Sequence, residues 1–330
     1  MNLIDLKNEF FKKKISKPNY IKKIFNKYHD LLFQYSDLII KTDIQKIEIT
    51  SSAVKMTSKK FGVNMVLPNH DHRSAPLEAI NFNGCEEEEL ALIMKLLKKK
   101  GNFIDIGANI GWHSIIIAKK LKKIKVYAFE PIKKTYKFLI QNIKLNSIKN
   151  IKTFNFGFYN ENKKIPFYTY KEGLANSSIK NLSQRSSVIL QKAYVKIFDN
   201  FINKNKIKVD FIKCDVEGAE LFVFLGAKKV LLKDKPIVIC EMLRKFSKKF
   251  KYHPNEIILL FKEFGYECFK IPKESLSLQV KRTYTHNSKK ILNSKKFRLR
   301  KIQKITPKTK ETMFLFLHKE KDSKIIKKYI

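Results

Sequence analysis

Apolar positions along the chain change their spacing several times, and each change marks a new kind of element. Residues 1 to about 41 place apolar side chains at helical intervals among lysines: Leu3, Leu6, Phe10 and Phe11, then Ile21, Ile24, Phe25, Tyr28, Leu31 and Leu32. From Ile44 to Leu67 the period shortens towards two, with Ile47 and Ile49 and then Phe61, Val63, Met65 and Leu67, which predicts strands. A loop runs through Pro68 and Pro76. Cys85 to Lys100 reads as a helix, with Glu86 to Glu89 at its positive end, Lys98 to Lys100 at its negative end and Gly101 as its stop. The glutamate run therefore reads as a helix start rather than a metal site.

Beyond Gly101 strands and helices alternate. Phe103 to Ile106, Val126 to Phe129, Ile151 to Phe156, Val209 to Cys214, Ile237 to Met242 and Tyr266 to Ile271 are short apolar strands. Between them Trp112 to Leu121, Lys133 to Asn146, Glu220 to Leu232 and Asn255 to Phe264 read as helices. Repeated β–α units with near-continuous apolar strands predict an α/β fold, a parallel sheet with helices on both faces. The stretch between Phe156 and Val209 reads as irregular. Residues from Pro272 to about Lys310 are basic and poorly patterned, and Met313 to Leu317 is a last strand returning to the sheet.

Composition narrows the class. The 330 residues include only 10 Gly and 9 Pro, which excludes collagen-like and Gly/Pro-rich chains. No apolar run approaches the ~18 residues of a membrane span, and the N-terminus lacks a signal-peptide core, so a soluble cytoplasmic chain is expected. Lys and Arg number 69 against 30 Asp and Glu, a net charge of +39 that suggests an anionic partner such as nucleic acid. Arg73, Arg185, Arg244, Arg282, Arg298 and Arg300 are the only arginines, however. Lysine supplies diffuse, solvated charge without the bidentate fork that reads phosphate or guanine, so a plain lysine surface weighs evenly against a nucleic-acid footprint. Cys85, Cys214, Cys240 and Cys268 form no C-x-x-C pair, which leaves reduced structural thiols.

Three strand ends carry the candidate chemistry, since ligands of open parallel sheets bind beyond the carboxyl ends of the strands. The first is Asp105-Ile106-Gly107-Ala108-Asn109-Ile110-Gly111, a strand-to-helix turn. It lacks the G-x-G-x-x-G spacing of a nicotinamide site, which argues against a dehydrogenase. The second is Glu130, about 25 positions later, placed to accept hydrogen bonds from ribose hydroxyls. The third is Lys213-Cys214-Asp215-Val216-Glu217-Gly218-Ala219-Glu220, with two carboxylates facing one crevice. Capping of the following helix is the competing role for Glu217.

The segments FIDIGANIGWHS, VYAFEP, and FIKCDVEGAE with IVICEM resemble the FkbM family of S-adenosylmethionine-dependent methyltransferases, over roughly residues 80 to 271 and the strand near Met313. The resemblance implies a Rossmann-like seven-stranded sheet, mostly parallel with an antiparallel last strand, and S-adenosyl-L-methionine as cofactor. It places Asp105, Gly107, Ala108, Asn109 and Gly111 around the methionine part, Glu130 at the ribose, and Asn155 to Gly157 beside the adenine. It divides the chain into a lysine-rich helical and β-hairpin extension, 1–80, and a methyltransferase domain, 81–330, with a basic insertion at 272–310. It implies methyl transfer to an oxygen of a glycan or small molecule.

A neutral hydroxyl needs a base near the fourth and fifth strand ends. Asp215 is the first choice, Glu217 the second and Glu241 the third. The same carboxylates around a divalent metal are the less favoured arrangement, because no histidine accompanies them in sequence. His113 and the His70-Asp71-His72 pattern read as structural or loop residues, and Trp112, Tyr136 and Phe138 as packing. Two rival functions remain: a methyltransferase acting on RNA or DNA, against which stands the lack of N-P-P-[YF] and D-P-P-Y motifs, and a non-catalytic binding protein on the same fold.

Overall fold

The computed structural model describes residues 1–69, 71–170, 173–182, 188–271 and 298–329, with the backbone alone over 173–176. At the start of the chain the amphipathic pattern becomes three helices rather than one: α1 (Leu3–Phe11), α2 (Lys17–Ile24) and α3 (Asp30–Ile40), the last two joined by a π turn at Phe25–His29. The break after α1 has a backbone cause. Lys13 turns left-handed at φ 57°, and Pro18 is tolerated only in the first turn of a helix. Strands β1 (Ile44–Ile49), β2 (Val54–Ser58) and β3 (Asn64–Val66) then form an antiparallel sheet in the order β1-β2-β3.

Helices α4 (Ala75–Phe82) and α5 (Glu87–Leu96) lead into the main sheet. Its parallel part is built from β4 (Gly101–Ile106), α6 (Trp112–Lys120), β5 (Ile124–Phe129), α7 (Lys133–Leu145) and β6 (Ile151–Phe154). The segment read as irregular contains four strands instead: β7 (Gly157–Tyr159), β8 (Lys163–Tyr170), β9 (Gly173–Ser178) and β10 (Val188–Ile197), in the order β7-β10-β8-β9. Their buried positions alternate with exposed lysines and tyrosines, so no continuous apolar run announces them.

The chain continues through α8 (Phe198–Lys204), β11 (Phe211–Cys214), α9 (Glu220–Leu225), α10 (Lys228–Lys233), β12 (Ile237–Glu241), α11 (Arg244–Ser247), α12 (Asn255–Glu263), β13 (Tyr266–Lys270), β14 (Arg300–Ile302) and β15 (Met313–His318). The single helix expected over Glu220 to Leu232 is split at Gly226. A Cβ there would lie 2.6 Å from the Tyr159 carbonyl oxygen, so β7 crosses where the helix would otherwise run on.

Among the described residues the main sheet has eight strands in the order β14-β13-β15-β12-β11-β4-β5-β6. The seven-stranded arrangement is present: β4, β5, β6, β11 and β12 pair in parallel, and β15 runs antiparallel to both β12 and β13. The addition is β14, an antiparallel edge strand from the basic segment; residues 272–297 of that segment lie outside the described residues.

Alternate residues of each strand feed two cores. Ile104, Ile106, Phe129, Ile212 and Val238 pack against Phe198, Phe224 and Phe261 on one face. Phe103, Val126, Phe211 and Ile239 pack against Leu90, Ile93 and Ile116 on the other. Burial of each such side chain contributes about 1.5–3 kcal/mol before entropy is subtracted. Ile44, Met56, Phe61 and Met65 of the N-terminal sheet join the second core.

Asn142 fastens this sheet to the rest. Fully buried on α7, it accepts the Val66 amide at 2.8 Å and donates to the Ile110 carbonyl at 2.9 Å. Asn142→Leu leaves both backbone groups unpaired, and thermal or urea unfolding should show a loss of about 2–4 kcal/mol. An unchanged midpoint would mean that these bonds do not carry the junction.

Candidate active site

Gly107 brings two strand tips into contact. At φ +82° its ideal Cβ would sit 1.9 Å from the Asp215 carbonyl oxygen, so only a residue without a side chain lets the β4 turn lie against the β11 turn. The Asp215 amide returns a bond to the Ile106 carbonyl at 3.0 Å. On the other side the Gly107 and Ala108 amides both donate to the Phe129 carbonyl, at 3.1 and 2.9 Å, which ties β4 to the tip of β5.

Glu130 completes that tip. Its Oε2 accepts the Asn109 amide at 3.1 Å and its Oε1 the Ile132 amide at 2.8 Å. Burial pushes its carboxyl up to about 7, although those two bonds favour the anion. Asn155 braces the turn, donating to the carbonyls of Glu130 at 2.8 Å and Pro131 at 3.1 Å. Gly111 likewise serves packing, since a Cβ there would meet Leu139 Cδ1 at 2.6 Å.

The third tip concentrates charge. Lys213 is buried, in register with Asp105 across the β11–β4 pair, and its Nζ lies 3.1 Å from Asp215 Oδ2. Burial alone would lower its affinity for the proton, but Asp215, Asp105 and Glu86 outweigh it and hold the ammonium above the ordinary lysine range. Asp105 sits under the cleft floor, fully buried, and accepts the Ser114 hydroxyl at 2.6 Å; burial raises its carboxyl while Lys213 and Ser114 oppose the rise.

Glu220 anchors the turn from below. It accepts the Val216 and Gly218 amides at 3.1 and 3.0 Å and the Tyr252 hydroxyl at 3.2 Å, and burial pushes it up to about 7. Glu217 is held left-handed at φ 55°, its carbonyl takes the Ser178 hydroxyl at 2.8 Å, and its Oε2 is buried without a hydrogen-bond partner. Burial raises Glu217 and Glu241 well above the carboxylate range, and Asp215 adds to both shifts.

These tips open into one cleft of about 200 Å³. Gly107, Ala108, Asn109, Glu130, Gly157, Asp215, Glu217 and Glu241 line it, whereas Asp105 and Gly111 are buried outside its lining and Asn155 is exposed beside the Glu130 turn. The sequence reading missed several lining groups. Lys213 was hidden in an apolar strand, and an in-register Asp–Lys pair on adjacent strands was its only signal. Glu86 stands at the start of α5 as its N-cap residue, left-handed at φ 49°, and its side chain, rather than capping the helix, brings Oε2 to 3.3 Å from His113 Nδ1. His113 is buried and held neutral by burial and by Lys213, and its Nε2 has no hydrogen-bond partner. Arg73, Glu78 and Phe167 come from segments without a motif. His70 lies outside the described residues. Among the described residues no group of three His, Cys, Asp or Glu side chains is placed to hold a metal ion.

Comparison with known proteins follows the same residues. Residues 105–268 match the methyltransferase FkbM domain family. "Methyltransferase 1" of Beauveria bassiana (strain ARSEF 2860) is 25% identical over 141 residues, a match spanning 37% of this chain and 57% of that protein. The structure of methyltransferase FkbM from Methylobacillus flagellatus KT aligns at a TM-score of 0.39 and 16% identity, over 70% of this chain and 47% of that one. TYW2 from P. horikoshii in complex with MeSAdo aligns at 0.38 and 17%, over 89% and 83%.

The buried acids set a pH dependence. Glu130 and Glu220 move from 4.5 to about 7 on folding, so between those values the folded protein holds protons that the unfolded chain releases. Stability is then lost as pH rises through that window, by roughly 3 kcal/mol per group. The melting temperature should fall across it, and Glu130→Gln should flatten the slope. A melting temperature that rises over the same range would contradict the assignment.

Proposed function

The stretch from 105 to 268 is a methyltransferase FkbM domain, and from that premise we propose that the cleft binds S-adenosyl-L-methionine and methylates a hydroxyl of a glycan or other small molecule. Supporting this reading is the convergence of Glu130, Asp215, Glu217 and Glu241 from the ends of β5, β11 and β12 on a single cleft. The donor set fits the cofactor. Glu130 offers a carboxylate to a ribose diol, Ile132, Gly157 and Phe158 offer a flat apolar wall, and the acidic end offers anions to a sulfonium. The bound cofactor supplies an already activated methyl group.

The chain's own residues then have three tasks. The laced turns of Gly107 and Glu130 hold the cleft geometry, which is worth rate because alignment is settled before reaction. Strands β7 to β9 supply Phe158, Phe167 and Ser177 as a wall that limits water. Asp215, ion-paired to Lys213 and open to the cleft, accepts the proton of the acceptor hydroxyl. Glu217 and Glu241, whose affinity for protons burial raises, border the acceptor position and orient it by hydrogen bonds.

Calorimetry with S-adenosylhomocysteine should show binding, and Glu130→Ala should weaken it by one to two orders of magnitude, the loss expected for a buried charged hydrogen-bond acceptor. No binding by the unaltered protein would favour a non-catalytic role. Radiolabelled methyl transfer into fractionated lysate should place label in carbohydrate or small molecules. Asp215→Asn should cut the rate by 10²–10⁴ with cofactor affinity preserved, as expected for a general base. Label in RNA would redirect the assignment to nucleic acid.

A further inference from the structure

The three helices that open the chain bury almost nothing: Leu6 is the only buried residue in α1, α2, the π turn and α3. Ile4, Phe11, Ile21, Leu32, Phe33 and Ile40 are each more than half exposed. Phe82, 74% exposed, extends this surface, because the neighbouring Asn83 accepts the Asp43 amide just beyond α3.

The arm is nonetheless built. Asn2 and Asp5 form a reciprocal cap on α1. Tyr28 Oη and Lys27 Nζ both donate to the Met1 carbonyl, at 2.7 and 2.9 Å, and Phe10 stacks on Tyr20 with ring centres 4.6 Å apart. Ile39 packs against the second core and fixes the arm's far end to the domain.

Apolar exposure of this extent needs an occupant, and the charge selects one. Residues 1–41 carry nine lysines against four acidic side chains. Nucleic acid would satisfy the lysines but leave the phenylalanines and isoleucines in water. A second copy would cover the apolar side chains but set a chain of net charge +39 against its equal. An anionic lipid surface takes both: apolar side chains enter at the headgroup level while lysine stems reach back to the phosphates. Among the described residues no helix is long and apolar enough to cross a membrane, so the arm would lie in the interface plane. We propose that the helices of residues 3–40 dock this protein on an anionic bilayer surface.

The test uses the full chain and sedimentable vesicles. Vesicles of equal phosphatidylcholine and phosphatidylglycerol should carry the protein into the pellet, pure phosphatidylcholine should not, and added salt should weaken the binding. Ile4→Asp with Phe11→Asp should release it, as should Ile40→Asp alone, with melting temperature and S-adenosylhomocysteine binding unchanged. Replacing Lys12, Lys13 and Lys14 by Glu should lower vesicle affinity by at least two orders of magnitude. Three results would overturn the proposal. One is equal absence from both pellets. Another is vesicle binding that survives the Asp substitutions. The third is a dimer or an RNA complex that those substitutions abolish while vesicles go unbound.

Discussion

A single ammonium group, that of Lys213, organises the carboxyl edge of the sheet. It is buried between Asp105, its neighbour on the adjacent strand, and Asp215, its ion-pair partner on the following turn. Charge that deep is tolerated only when compensated, and here one cation faces more than one acid. The surplus falls on Glu217 and Glu241, whose carboxyls burial and the neighbouring acids, Asp215 first, push well above the carboxylate range. The cleft therefore has a built-in order of charge: a compensated pair at its floor and carboxyls of raised proton affinity on its walls.

The turns that carry these groups depend on close backbone approach. Gly107 lies against the Asp215 carbonyl, and Glu130 and Glu220 each accept two backbone amides, one of Glu130's coming from the neighbouring β4 turn. Buried carboxylates here act first as staples, and Glu130 does so while still facing the cleft. Part of the site also comes from outside the β–α repeat. Glu86 enters from the start of α5 to meet His113, and Asn142 joins the loop after β4 to the N-terminal sheet.

Much of this was legible in the residues. Strands buried on both faces read as apolar runs, so β4, β5, β11, β12 and β15 were visible, and the glycine and acidic positions at their ends pointed to the cleft. One small sheet was not. The sheet β7 to β10 alternates buried side chains with exposed lysines and carries Pro166, and it passed as irregular. Lys213 was unreadable for the opposite reason, since one charge inside an apolar strand acquires meaning only when Asp105 is known to lie beside it. Asp105 and Gly111, grouped with the cofactor residues by resemblance, stand behind the cleft because one is bonded to Ser114 and the other packed on Leu139.

The double-mutant cycle between Lys213 and Asp105 tests the charge arrangement most directly. Lys213→Met should destabilise the protein by about 3–5 kcal/mol at neutral pH, because it leaves buried acids without a cation. Lowering the pH should recover part of that loss as the acids protonate, and adding Asp105→Asn should restore a further part through favourable coupling. A Lys213→Met protein as stable as the parent, or strictly additive effects of the two substitutions, would contradict the role of this ammonium as the centre of the site.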